Sequence, residues 1–158
     1  MSSIDLGELP NMIGVELRIA QILADRLFSS TELSIAPGHF TVLSLVGLNP
    51  GINQSNLARC MFLDRSSMVP ILDQLQNKEL IERRSLPTDR RSYALHLTRE
   101  GRSAVRRGER EVSRLEKAIS SEMGSVNRSQ LLALIKQFQS ALLALQGSTA
   151  IERTANDR

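Results

Sequence analysis

Apolar residues return along this chain with two different periods, and the change of period divides it. From Pro10 onward Ile13, Leu17, Ala20, Ala24 and Leu27 recur at alternating steps of four and three, the spacing of one helix face. Ile19, Ile22, Leu23 and Phe28 widen that face, so the helix has more than one neighbour to meet. Residues 29–34 read as a link. Pro37 to Gly47 predicts a short apolar helix with Pro37 in its first turn, where no N–H is needed. Asn49-Pro50-Gly51 breaks the pattern. Asn53 is placed to cap a short helix that turns Leu57, Ala58 and Met61 inward. Asp64 is placed to cap another, running to about Asn77, with Met68, Ile71, Leu72 and Leu75 on its buried face.

The period then drops to two. Leu80-Ile81-Glu82-Arg83 and Tyr93-Ala94-Leu95-His96-Leu97 read as short strands, the second with Tyr93, Leu95 and Leu97 on one buried face and His96 on the outer one. Between them lies a polar loop, Ser85 to Arg91, that contains Pro87. Thr98 is an N-cap for a charged helix reaching about Ser121, with a sparse seam of Val105, Val112, Leu115 and Ile119, and Gly101 and Gly108 in phase. Met123-Gly124-Ser125 breaks it. A last helix is expected from Asn127, with Gln130 in capping-box position. Leu131, Ile135, Phe138, Leu142 and Leu145 repeat the four-and-three spacing, and the residues from Gly147 onward are polar. The predicted fold class is mainly α with a small β-hairpin wing, a winged helix-turn-helix core flanked by long helices.

Composition narrows the function. Four Phe, one Tyr and no Trp leave few platforms for stacking single-stranded bases. The formal net charge of +3 is unevenly spread. Residues 1–58 carry Arg18 and Arg26 against five acidic residues, whereas residues 83–107 carry eight arginines against Asp89 and Glu100. Such a basic block can neutralise phosphates and release their counterions. The single Cys60 excludes an internal disulfide framework and suits a reducing cytoplasm. No secretory leader or membrane span is evident, so a soluble, cytoplasmic protein is expected.

On the helix from Asp64 to Asn77, Ser66, Ser67, Pro70, Asp73, Gln74 and Asn77 lie mainly opposite the apolar face. Small polar side chains admit base edges closely, and Gln74 can read adenine through paired hydrogen bonds. Arg65 can reach a base or a phosphate. Gln54, Ser55 and Asn56 open the preceding helix, where polar groups and unpaired N–H donors suit phosphate. The hairpin, with its basic tip, reaches the adjacent minor groove or backbone. Double-stranded DNA is therefore the expected partner.

The run from Gln54 to Arg59, then Asp64-Arg65-Ser66-Ser67-Met68-Val69, then Asp73 to Arg83, resembles the core of MarR-type regulators. Pro87-Thr88-Asp89-Arg90-Arg91-Ser92, followed by Leu97-Thr98-Arg99-Glu100-Gly101, is similar to that family's wing and the entry to its next helix. Glu79 stands where many members have glycine. The resemblance implies a homodimer with interlocked terminal helices and two winged lobes on a palindrome. Residues 10–34 would then be an N-terminal dimerisation helix, 35–98 the DNA-binding domain, 99–147 the C-terminal dimerisation helices and 148–158 a flexible tail. By the same analogy Asp89 holds the wing through Arg91, Arg83 or Arg84, and Arg90 or Arg91 enters the minor groove. The family also implies a small effector, an aromatic carboxylate or its thioester, with His39, Arg18 and Arg26 as candidate contacts.

Other chemistry is poorly supported. His39 and His96 sit in no catalytic motif, and neither a phosphate-binding glycine loop nor a metal-ligand spacing occurs. No enzyme activity and no cofactor is expected. Cys60 is expected to be a buried, inert thiol rather than a redox sensor. The competing readings are a ligand-independent architectural DNA-binding protein and a Cys60-based redox regulator.

Overall fold

The computed structural model describes residues 5–29, 35–86 and 89–156, with side chains described outside 86–92 and 147–156. The chain divides into two compact units, Met1–Ser113 and Arg114–Arg158. After a 3₁₀ turn at Leu9–Asn11, the first unit holds α1 (Ile13–Ser29), α2 (Pro37–Leu48), α3 (Gln54–Cys60), α4 (Arg65–Asn77), β1 (Ile81–Leu86) and β2 (Asp89–Leu97). It also holds the first part of α5 (Arg99–Met123). The second unit holds the rest of α5 and α6 (Ser125–Asn156). Among the described residues, no helix is long and apolar enough to cross a membrane.

Several boundaries follow from local chemistry that the sequence announces. Pro37 opens α2 at its first turn. Asn53 Oδ1 accepts the Asn56 N–H at 2.8 Å and caps α3. Thr98 Oγ1 accepts the Gly101 N–H at 2.9 Å at the start of α5. Asp64 occupies the N-cap position of α4 but makes no side-chain cap bond, so position alone does not satisfy that helix end.

The core is a set of aliphatic residues drawn from every element of the winged unit except α1. Leu43 and Val46 of α2, Leu57 of α3, Met68, Leu72 and Leu75 of α4, Ile81 of β1 and Leu95 of β2 are all shut away from solvent, with Ala104 of α5 packed beside them. Burying each large side chain contributes on the order of 1.5–3 kcal/mol, so this cluster dominates the unit's stability. Phe28 joins α1 to α2 by packing on Phe40, ring centroids 5.7 Å apart. The rest of the α1 apolar face, including Ile13, Ile19, Leu23 and Leu27, is exposed within the chain.

Helix α4 ends in a Schellman turn: the Leu80 N–H reaches the Leu75 carbonyl at 2.9 Å and the Glu79 N–H reaches Gln76 at 2.8 Å. Leu75 and Leu80 are both buried, the apolar contact that accompanies this motif. Glu79 takes the left-handed conformation, φ +56°, that glycine would adopt there at lower cost. The Glu79 carbonyl accepts the Thr98 hydroxyl at 2.6 Å, so the same residue that caps α5 clamps this turn.

The wing is an antiparallel pair, with Ile81 opposite Leu97, Arg83 opposite Leu95 and Ser85 opposite Tyr93, and an irregularity between Ser85 and Leu86. The other edge of β2 is covered by residues 51–53. Gly51 N–H donates to the Leu95 carbonyl at 2.9 Å, Leu95 N–H donates to Ile52 at 3.0 Å, and Asn53 pairs with Ala94. This cover corrects the expected alternation: Ala94 and Leu95 are both buried, whereas Tyr93 is 47 % exposed and His96 is half-buried.

Two glycines let α5 approach. A Cβ on Gly101 would lie 1.9 Å from the Leu80 carbonyl oxygen, and one on Gly108 would lie 1.9 Å from the Phe40 ring. In the second unit Gly124, φ +80°, makes the turn between α5 and α6. Asn127 is not the N-cap expected of it: α6 begins at Ser125, and the Asn127 amide donates back to the Met123 carbonyl at 2.7 Å. Arg128 pairs with Glu116 at 2.6 Å, tying α6 to the last turns of α5. The α6 helix runs through Gly147 to Asn156, past the place where its polar composition suggested an end.

Candidate nucleic-acid interface

Helix α4 separates its residues cleanly. Met68, Leu72 and Leu75 face the core, and Arg65, Ser66, Ser67, Pro70, Gln74 and Asn77 are exposed on the outer side. Pro70 lies inside the helix and has no N–H to offer the Ser66 carbonyl, which leaves that acceptor free of its usual intrahelical partner. The exposed face therefore presents two hydroxyls, two carboxamides, a guanidinium and a backbone acceptor. These groups match what base edges offer in a major groove.

The helices that frame this face are held by specific polar links. The Gln54 side-chain amide donates to the Arg65 carbonyl at 3.0 Å, joining the first turns of α3 and α4. Gln54 is thus a positioning residue for the start of α4, while Ser55 and Asn56 remain exposed beside it. Arg83 of β1 pairs with Asp73 of α4 at 2.5 Å, part-buried, and locks the wing's base to the same helix. Arg84 pairs with Glu82 at 2.5 Å. Two arginines of the basic block are thereby committed within the protein. The side chains of Asp89, Arg90 and Arg91 lie outside the described residues. The Asp73–Arg83 link joins residues ten apart through the fold, and only their opposite charges hint at it in the sequence.

The other candidates fall elsewhere. Arg18 and Arg26 are exposed on α1, and His39 is half-buried on α2. Burial, and then the nearby Lys78 charge, hold the His39 pKa below its ordinary value, so the neutral imidazole is favoured. Cys60 is exposed, contrary to the expectation of a buried thiol, because α3 turns Leu57 and Ala58 inward and ends with Cys60 on its outer side. Sequence reasoning also passed over Phe62. It stands 79 % exposed at φ +53° in the turn between α3 and α4, close to the start of the outward-facing helix.

The comparisons agree with this geometry. The pattern that defines the MarR family matches residues 35–93. A putative transcriptional regulatory protein for the hcr operon of Thauera aromatica is 39 % identical over 134 residues, covering 83 % of this chain and 81 % of the relative. This chain belongs to the MarR family. It is accordingly a transcriptional regulator. Among solved structures of the family, the repressor CouR bound to a 23-mer DNA duplex is 33 % identical, with a TM-score of 0.79 over 87 % of this chain and 99 % of CouR. CouR bound to p-coumaroyl-CoA matches at 29 % identity with the same TM-score, over 87 % of this chain and 98 % of CouR.

Proposed function

We propose that this protein is a sequence-specific repressor that binds a palindromic operator as a homodimer and leaves it when a small anionic aromatic ligand, or its thioester, is bound. The observation that carries the reading is the outer face of α4: small and polar, and braced by Gln54 at one end and by the Asp73–Arg83 pair further along. Ser66, Ser67 and Gln74 read base edges in the major groove, and Arg65, Ser55 and Asn56 contact phosphates beside it. Arg90 and Arg91 of the wing supply minor-groove contacts, with Asp89 holding the tip. A dimer is supported by the uncovered apolar residues of α1 and of α6, a pair of helices at the two ends of the chain. Ligand control is supported by the likeness to CouR, solved both with DNA and with p-coumaroyl-CoA. Arg18, Arg26 and His39 are the proposed contacts for such a ligand.

Selection of DNA fragments by the purified protein tests the reading. Enrichment of one palindrome, with half-sites about one helical turn apart, is the expected result. Absence of any enriched sequence, with affinity that simply collapses as salt rises, would favour an architectural DNA-binding protein instead.

A further inference from the structure

Pro70 is, among the described residues, the one proline that stands inside a helix rather than at its first turn. It lies in the middle of α4, on the outer side of a helix whose inner side carries Met68, Leu72 and Leu75. A proline there is costly, because it removes one hydrogen bond of the helix and crowds the carbonyl one turn back. The core does not use it: Pro70 is exposed, and the buried contacts of α4 come from the other face.

The neighbouring carbonyls at the start of α4 are engaged. That of Asp64 accepts the N–H groups of Ser67 and Met68 at 3.1 and 3.3 Å, and that of Arg65 accepts the Gln54 side-chain amide at 3.0 Å. The Ser66 carbonyl is the exception, since the residue four positions on has no N–H to give it. Ser66 and Pro70 are both exposed and lie one turn apart on the same side, so water serves this acceptor in the free protein. When the helix enters a groove that water is displaced, and an acceptor left without a donor weakens the complex.

This acceptor differs in kind from the side chains around it. The hydroxyls of Ser66 and Ser67 and the carboxamides of Gln74 and Asn77 can each donate or accept, so they suit either kind of base edge. A backbone carbonyl only accepts, and the helix fixes its direction. Adenine N6 and cytosine N4 donate into the major groove, whereas guanine O6 and thymine O4 accept. The nearby carboxylates are placed otherwise: Asp73 is tied to Arg83, and Asp64 precedes the helix as its N-cap residue.

We propose that the Ser66 carbonyl, freed by Pro70, makes α4 select an amino-bearing base, adenine or cytosine, at one position of each half-site. The proposal rests on the reading of α4 as the helix that enters the major groove. Pro70 sets the preference, and Ser66 contributes through its backbone rather than its hydroxyl.

The test compares DNA fragments selected by the whole chain as wild type, Pro70→Val and Ser66→Ala. Pro70→Val keeps apolar bulk on the outer face but restores an N–H that closes the bond to the Ser66 carbonyl. Wild type and Ser66→Ala are expected to enrich one position per half-site where adenine and cytosine are both favoured over guanine and thymine, by roughly three- to tenfold. In Pro70→Val that preference should disappear while the rest of the palindrome is retained. Purine in place of adenine at that position lacks only the amino group. It should weaken wild-type binding by roughly three- to tenfold and leave Pro70→Val unchanged.

A preference that survives in Pro70→Val, or one that is lost in Ser66→Ala, would overturn the proposal. So would an amino deletion that costs wild type and Pro70→Val equally, or a loss in Pro70→Val spread over every position. A palindrome with no such position would overturn it too, while leaving sequence-specific binding intact. Absence of any palindrome would overturn both.

Discussion

The winged part of the first unit and the helical segment after Ser113 treat their apolar residues in opposite ways. In the winged part, Leu43, Leu57, Leu72, Leu75 and Leu95 disappear into one core to which six elements contribute. From Arg114 to Gln146 no described residue is buried, and Leu134, Leu142 and Leu145 stand open on α6. A two-helix segment cannot enclose a core of its own, so its apolar face has to be covered by something else. The winged part is built to fold from its own contacts.

The sharpest way to break the contrast is to empty the winged core. Leu72→Ala removes a fully buried side chain and is expected to destabilise the protein by about 2–5 kcal/mol, read from urea unfolding. The opposite region should answer in association rather than in fold. Leu142→Asp is expected to weaken self-association at least about a hundredfold in analytical ultracentrifugation, because an interface there would bury an unpaired carboxylate. Its winged unit should still give native-like amide resonances. An unchanged sedimentation profile would mean that this face of α6 is not where two copies meet.

Arg91→Ala separates reading from folding. It is expected to cost about 1–3 kcal/mol in binding to the selected palindrome while the unfolding midpoint stays put, and a binding curve unchanged at every salt concentration would remove Arg91 from the interface. Glu79→Gly relaxes the turn that joins α4 to the wing. Relief of the left-handed strain outweighs the entropy lost with glycine, and a gain of about 0.5–1 kcal/mol is expected in the same unfolding assay.

The smallest effect is the pH response of His39. Its pKa in the fold lies below the ordinary 6.5, so the unfolded chain takes up the proton first as pH falls. Stability is therefore unaffected by this group above about pH 6.5, falls as pH drops below that, and levels off beneath the lowered folded value. His39→Gln should flatten this slope in unfolding midpoints measured between neutral and mildly acidic pH. Lys78→Gln should flatten it less, since burial is the larger cause.

Much of this architecture was legible along the chain, because the devices that mark helix ends act within a few residues. Asn53 and Thr98 satisfy N–H groups three positions on, Pro37 sits where no donor is required, and the four-and-three spacing marks the faces of α1 and α6. The outer face of α4 follows from the same periodicity, and so does the candidate base-reading set on it. The tip of the wing, with Arg90 and Arg91, was legible as a basic loop. Its contacts were not, since charge in a sequence does not say which partner a guanidinium finds.

What the sequence by itself determined is thus the order of elements, most of their ends and the inner and outer faces of α4, all consequences of hydrogen bonding and periodicity over short separations. Only the tertiary structure decided how residues far apart would meet. It placed Arg83 against Asp73, drew Thr98 onto the Glu79 carbonyl, and pressed Gly101 and Gly108 against Leu80 and Phe40. It also decided that Cys60 would face solvent. Those outcomes depend on which surfaces pack together, and close packing permits one arrangement that no local pattern encodes.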